Sequence, residues 1–104
     1  MQTSVLTLLY TTLSTTEEAE KLARLVLAEK LAGCVNIIPG GRSIYLWNDK
    51  IEDNPECYLL FKTTSEKIES LQKFILQHHS YQTPALLHWE AGCSEGFFEY
   101  INRL

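Results

Sequence analysis

Three sets of side chains in this 104-residue chain carry atoms that could do chemistry. The first is Cys34 with His78 and His79. Thiolate and imidazole are good ligands for copper and zinc, and the affinity order among divalent ions favours Cu²⁺. Adjacent histidines point about 100° apart on a helix, so one helix turn cannot present both to a single ion. A site using Cys34 therefore needs approach through tertiary structure or between subunits. The plainer alternative is a small buried thiol and two histidines near a helix C-terminus. The second set is Tyr45, Trp47, Tyr81 and Trp89, with Lys62 and Arg42 as anion contacts. Such a lining could hold a small ligand in a cleft, but packing against another chain is the favoured reading. The third is Glu52, Asp53 and Glu56 around Pro55. Carboxylates bind hard cations, but the spacing lacks the regularity of a calcium loop, which favours a solvated turn.

No phosphate-binding glycine loop, HExxH, paired C-x-x-C or G-x-S-x-G elbow occurs, so nothing marks a nucleophile with its base and no enzymatic activity is expected. Net charge is −4, which argues against nucleic-acid and anionic-membrane binding. Three widely spaced cysteines fit free thiols in a reducing cytosol. The segment MQTSVLTLLYTT lacks the basic start of a signal peptide, and no apolar run approaches a membrane span. A cytoplasmic protein is the expectation.

Around these residues the pattern predicts one domain over 1–104. Val5 to Tyr10 is a short apolar run suited to a buried strand. Ser14 with Glu17, or Thr15 with Glu18, forms a capping box. Ala19, Leu22, Ala23, Val26 and Leu27 then recur at helical spacing, and Gly33 is the expected stop. Cys34 to Ile51 follows as a long strand-forming run interrupted by Pro39-Gly40-Gly41. Cys34, Asn36 and Ile38 share one face; Val35 and Ile37 share the other. Beyond the interruption Ser43, Tyr45 and Trp47 alternate with Arg42, Ile44 and Leu46. Asn48-Asp49 suits a tight hairpin turn, with Ile51 to Thr63 returning and Pro55 at an edge or bulge. Ser65 is the expected cap of a second helix with Ile68, Leu71, Ile75 and His78 or His79 along its inner stripe. Tyr81 to Pro84 breaks it. Ala85 to Trp89 makes a fourth strand ended by Gly92. Ser94 to Leu104 is a terminal helix anchored by Phe97, Phe98 and Ile101. The order βαββαβ plus a helix, with right-handed crossovers, gives an α+β, ferredoxin-like antiparallel sheet with a long central hairpin and an extra C-terminal helix.

The long run has a consequence of its own. From Cys34 to Asp49 an extended chain reaches about 50 Å, whereas a domain this size has a diameter near ~33 Å. The run must bend at Pro39-Gly40-Gly41, protrude, or pack against another copy. Free strand edges on such a ribbon invite pairing, and three copies could satisfy them in a closed ring.

Several segments, taken in order, resemble the CutA family of divalent-cation tolerance proteins: Ala28-Glu29-Lys30-Leu31-Ala32, Cys34-Val35-Asn36-Ile37-Ile38-Pro39-Gly40, Ser43-x-Tyr45-x-Trp47 and Lys50-Ile51-Glu52. Glu56, Lys62-Thr63, His79-x-Tyr81-x-x-Pro84 and Tyr100-Ile101 continue the match over nearly the whole chain. The resemblance implies a homotrimer in which Ile44, Tyr45 and Trp47 of the hairpin join subunits. It also implies a role in copper and divalent-metal tolerance, with no obligatory cofactor and with copper or another divalent cation as ligand. The metal association falls on Cys34 with His78 or His79, and the cleft positions on Lys62, Tyr81 and Tyr45. The same trimer architecture resembles the PII signalling proteins, which makes a sensor binding a small molecule between subunits the alternative. This chain departs from the family pattern at Asp49, often glycine, and at Ser80, usually proline. Ala85 stands where glutamate is usual, and Tyr10 ends a strand where some members carry cysteine. The last two remove ligands from a complete copper site. Two other ferredoxin-like activities fit less well. An acylphosphatase needs a phosphate-cradling loop and arginine, which Tyr10-Thr11-Thr12-Leu13 lacks; an RNA-binding module needs a basic sheet face.

Overall fold

A computed structural model describes residues 4–104 of the chain. Of the segment assessed against a signal peptide, residues 1–3 lie outside the described part. The elements run β1 (Val5–Leu13), α1 (Thr16–Ala28), β2 (Cys34–Trp47), β3 (Lys50–Thr63), α2 (Ile68–His78), β4 (Leu87–Gly92) and α3 (Glu95–Asn102). The four strands form one sheet in the order β2-β3-β1-β4, with every neighbouring pair antiparallel. This is the expected ferredoxin-like α+β arrangement.

Register explains which side chains are buried. Leu9 and Leu13 of β1 oppose Phe61 and Cys57 of β3, and Val35 and Ile37 of β2 oppose Phe61 and Leu59. That face meets Leu22 and Val26 of α1 and Leu71 and Ile75 of α2, all buried in a single core. Among the described residues, no helix covers the opposite face. It carries Leu8, Tyr10, Ile38, Tyr58, Leu60, Leu87 and Trp89, none fully buried.

Several boundaries differ from the sequence reading. Strand β1 continues past Tyr10 because Thr11 to Leu13 pair with Leu59 to Cys57 and are buried. Thr15, rather than Ser14, caps α1: its hydroxyl accepts the Glu18 N–H at 3.1 Å and donates to the Glu18 carboxylate at 3.2 Å. The helix stops before Gly33. Lys30 takes the left-handed conformation at φ 56°, and the Lys30 and Leu31 amides return to the Leu27 and Val26 carbonyls, a Schellman ending without glycine. Leu27 is correspondingly exposed rather than on the inner stripe. Gly33 serves a close approach instead: a Cβ there would lie 2.6 Å from a Leu104 methyl and 2.8 Å from one of Ile101. Ser65 does not cap α2, which begins after a turn closed by the Lys67 amide on the Thr64 carbonyl. The Lys67 ammonium instead donates to the Lys30 carbonyl and to a Leu104 oxygen. Strand β4 begins at Leu87 rather than Ala85. In α3 only Ile101 is buried; Phe98 is half-buried and Phe97 exposed. No helix among the described residues is long and apolar enough to cross a membrane.

The long hairpin both bends and protrudes. Between Ile38↔Tyr58 and Gly41↔Glu56, β2 carries one residue more than β3, a bulge at which Gly40 adopts φ 78°. A Cβ on Gly41 would collide with the Tyr58 ring. The Tyr58 hydroxyl accepts the Arg42 N–H at 2.9 Å and donates to the Arg42 carbonyl at 3.1 Å, serving backbone groups opposite Pro55, which has no N–H to give. Asn48 and Asp49 both sit at positive φ, 51° and 64°, the expected two-residue turn. The ribbon stretches the molecule to 49 × 29 × 23 Å.

Candidate functional site

The thiol and imidazoles of the first set do not meet within one chain. Cys34 opens β2 on the uncovered sheet face, opposite Lys62, whose ammonium is 3.8 Å from its sulfur. His78 ends α2, stacked on Phe74 at 4.1 Å, and its Nδ1–H donates to the Phe74 carbonyl at 2.8 Å. His79 is occupied at both nitrogens. The Tyr81 amide donates to Nδ1 at 3.0 Å, so the proton sits on Nε2, which donates to the Thr12 carbonyl at 2.7 Å and lies 3.2 Å from the Thr11 hydroxyl. Burial pushes the His79 pKa below its usual value, favouring this neutral, doubly bonded ring. Along β1, Thr12 is four residues from Leu8, the neighbour of Lys62, which separates the two locations by roughly 13 Å along the strand direction alone. Among the described residues, no three His, Cys, Asp or Glu side chains converge to hold a metal.

The structure instead unites parts of the second and third sets. A cleft of about 800 Å³ opens between the outer half of the hairpin, the end of β1 and the segment after α2. Tyr45, Trp47 and Tyr81 line it, and so do Glu52 and Glu56. Alternation beyond the bulge explains the selection: Tyr45 opposes Glu52 and Trp47 opposes Lys50 on one ribbon face, while Ile44 opposes Asp53 on the other. Ile44 and Tyr45 thus look in opposite directions. Asn54 donates to the Tyr45 hydroxyl at 2.9 Å and fixes that ring.

Lys62, Arg42 and Trp89 are not lining residues. Lys62 lies beside Cys34, and Trp89 opposes Leu8 on the open sheet. Arg42 grips Asp53 through two bonds of 2.7 and 2.6 Å. That pairing lowers the Asp53 pKa and raises that of Arg42. The acidic group is therefore split, with Asp53 neutralised and Glu52 and Glu56 turned to the cleft.

Glu56 is the centre of a hydrogen-bonded network. Tyr81 donates to one of its oxygens at 2.6 Å and Thr12 to the other at 3.1 Å. With the Tyr81 proton committed to Glu56, the Ser14 hydroxyl donates to the Tyr81 oxygen at 2.9 Å. Burial, reinforced by the bond to Glu56, pushes the Tyr81 pKa up to about 12. Burial, then Tyr58 and Glu56, also raises that of Tyr10, another lining residue. Both phenols are held in the donor form. The sequence reading missed Tyr10, Thr12 and Ser14 as lining residues; β1 and the segment carrying Tyr81 are far apart in the chain, and no local pattern joins them. Ala85, noted above as a departure, also lines the cleft.

The family model described as CutA1 divalent ion tolerance protein matches residues 7–103. The Divalent-cation tolerance protein CutA of Yersinia pestis (strain Pestoides F) is 49% identical over 69 residues, 66% of this chain. The chain spans 58% of the length of that curated relative. Among solved structures, CutA from Synechococcus elongatus PCC7942 superposes with a TM-score of 0.93 at 34% identity, covering 99% of this chain and 92% of that one. CutA1 from Ehrlichia chaffeensis does so at 0.91 and 32% identity, covering 99% and 96%. A protein from Archaeoglobus fulgidus, described as the periplasmic divalent cation tolerance protein CutA, reaches 0.90 at 34% identity over 94% of this chain and 96% of that one.

Proposed function

The chain belongs to the CutA1 divalent ion tolerance protein family, and from that premise we propose that it is a non-enzymatic, homotrimeric tolerance protein that takes copper between its subunits. The carrying observation is apolar surface left uncovered by the chain's own helices. Ile44, Leu46, Trp47 and Ile51 on the ribbon are 64%, 73%, 61% and 75% exposed, and Leu87 and Trp89 are exposed on the open sheet face. Apolar surface exposed on both faces of the ribbon and on the open sheet marks an interaction site, and a closed ring of copies covers it without leaving free ends. Cys34 lies on the same uncovered face, so assembly offers a route by which its thiol meets an imidazole of a neighbouring copy. His78 is the better placed of the two histidines, because using His79 would break bonds at both of its nitrogens. Three free thiols, one of them buried at Cys57, favour the reducing cytoplasm. In a competitive chelator titration, Cys34→Ser combined with His78→Ala weakens Cu²⁺ binding at least tenfold on this reading. Wild-type titration by the double variant would remove the assignment.

A second reading has its own observation. The cleft around Glu56 suits a PII-like sensor that binds a small molecule near the subunit boundary, with metal binding incidental. Its size and mixed aromatic and polar lining are those of small-ligand sites.

A further inference from the structure

We propose that the Glu56 cleft selects small organic cations, a ligand class set by its charge and its aromatic walls; the inference rests on the sensor reading above. Among its lining residues are two carboxylates, Glu52 and Glu56, and no lysine or arginine. The nearby basic groups are engaged or displaced. Arg42 is spent on Asp53 on the other ribbon face, and Lys62 lies beside Cys34. Lys50 shares the cleft face of the ribbon and stands directly opposite Trp47 at the tip, outside the lining.

The half-buried Glu56 carboxylate is held in place by two neutral hydroxyls, from Thr12 and Tyr81. Such donors orient a carboxylate and leave its charge uncancelled. No ion pair forms at Glu56 or Glu52 among the described residues. Tyr81 and Tyr10 stand beside this charge, and Tyr45 and Trp47 line the outer part of the cleft beside Glu52. Aromatic faces attract cations, and do so more strongly as water is excluded. A cleft whose two carboxylates each stand beside aromatic rings therefore recognises an ammonium or guanidinium group carried on a small organic frame. It repels phosphate, because the lining has no positive charge to receive it. The Tyr45 ring, fixed by Asn54, makes the cleft partly preformed.

Isothermal titration calorimetry on the full chain tests this with choline, agmatine and tetramethylammonium as cationic probes and AMP as the anionic one. Saturable binding of at least one cation is expected, at least tenfold tighter than AMP. Glu56→Gln, which keeps the shape of the side chain, is expected to weaken it at least tenfold. Tyr45→Leu, which leaves the charge alone, is expected to weaken it several-fold, with both variants matching the wild type in circular dichroism and sedimentation. Cation binding that neither variant alters would overturn the assignment to this cleft. AMP binding without cation binding would overturn the charge selection and leave the sensor reading standing. Silence from all four probes would sink the cation proposal and the small-molecule reading together.

Discussion

The inner and outer halves of the β2–β3 hairpin share one residue pattern and meet opposite fates. In the inner half, Val35 and Ile37 face Phe61 and Leu59 beneath two helices, and Phe61 and Leu59 are fully buried. In the outer half, Ile44, Leu46 and Ile51 continue the same alternation with nothing above them. The helices are too short to reach: α1 has 13 residues and α2 has 11, on the order of 20 Å and 17 Å, against a molecule 49 Å long. Period-two alternation identifies a face of a strand, and the length of the covering helix decides whether that face becomes core or contact surface. The apolar residues beyond the cover are the ones that the proposed assembly of copies buries.

That contrast can be broken at three places. Phe61→Ala in the inner half is expected to destabilise the chain by about 3–5 kcal/mol, read by denaturant unfolding, because the cavity lies in the shared core. A cost near that of an exposed site would show that the core is not where the structure puts it. Gly41→Val, at the junction, forces the Tyr58 ring away and frees the Arg42 backbone groups. A loss of about 1–3 kcal/mol is expected, together with a changed Tyr58 environment in near-ultraviolet circular dichroism. An unperturbed spectrum would mean that the bulge tolerates a side chain. Ile44, Leu46 and Ile51 changed together to serine are expected to cost the isolated fold least, within about 0.5 kcal/mol per site. Analytical ultracentrifugation is nevertheless expected to move from assembled species toward monomer. An unchanged sedimentation profile would show the outer ribbon to be dispensable for assembly.

The candidate site divides along similar lines. Tyr45, Trp47, Tyr81 and Glu56 were legible as chemistry-bearing residues because their types stand out near a turn or a helix end. Their company was not. Lys62 and Trp89 have the right chemistry for the aromatic set, yet register carries them to the sheet and away from the cleft. Glu52 and Asp53 are adjacent in the chain and point to opposite faces of the ribbon, which no composition-based reading of an acidic group can separate. Thr12 and Ser14 look like ordinary residues before a helix and acquire their roles only when Tyr81 folds back onto them.

What the sequence determined by itself was local and periodic: the order of elements, the alternation of faces, the Asn48-Asp49 turn, a capped start to the first helix and the family. These depend on interactions within a few residues, or on a pattern that either helix or strand must satisfy. Tertiary structure decided which alternating face is covered. It also closed α1 at Lys30 and left Gly33 for α3, and it assigned both nitrogens of His79 to backbone partners. Finally, it gathered Thr12, Ser14 and Tyr81 into one hydrogen-bonded network at Glu56. Each of those outcomes needs groups remote in the chain to meet, and their distances are set by sheet register and helix length.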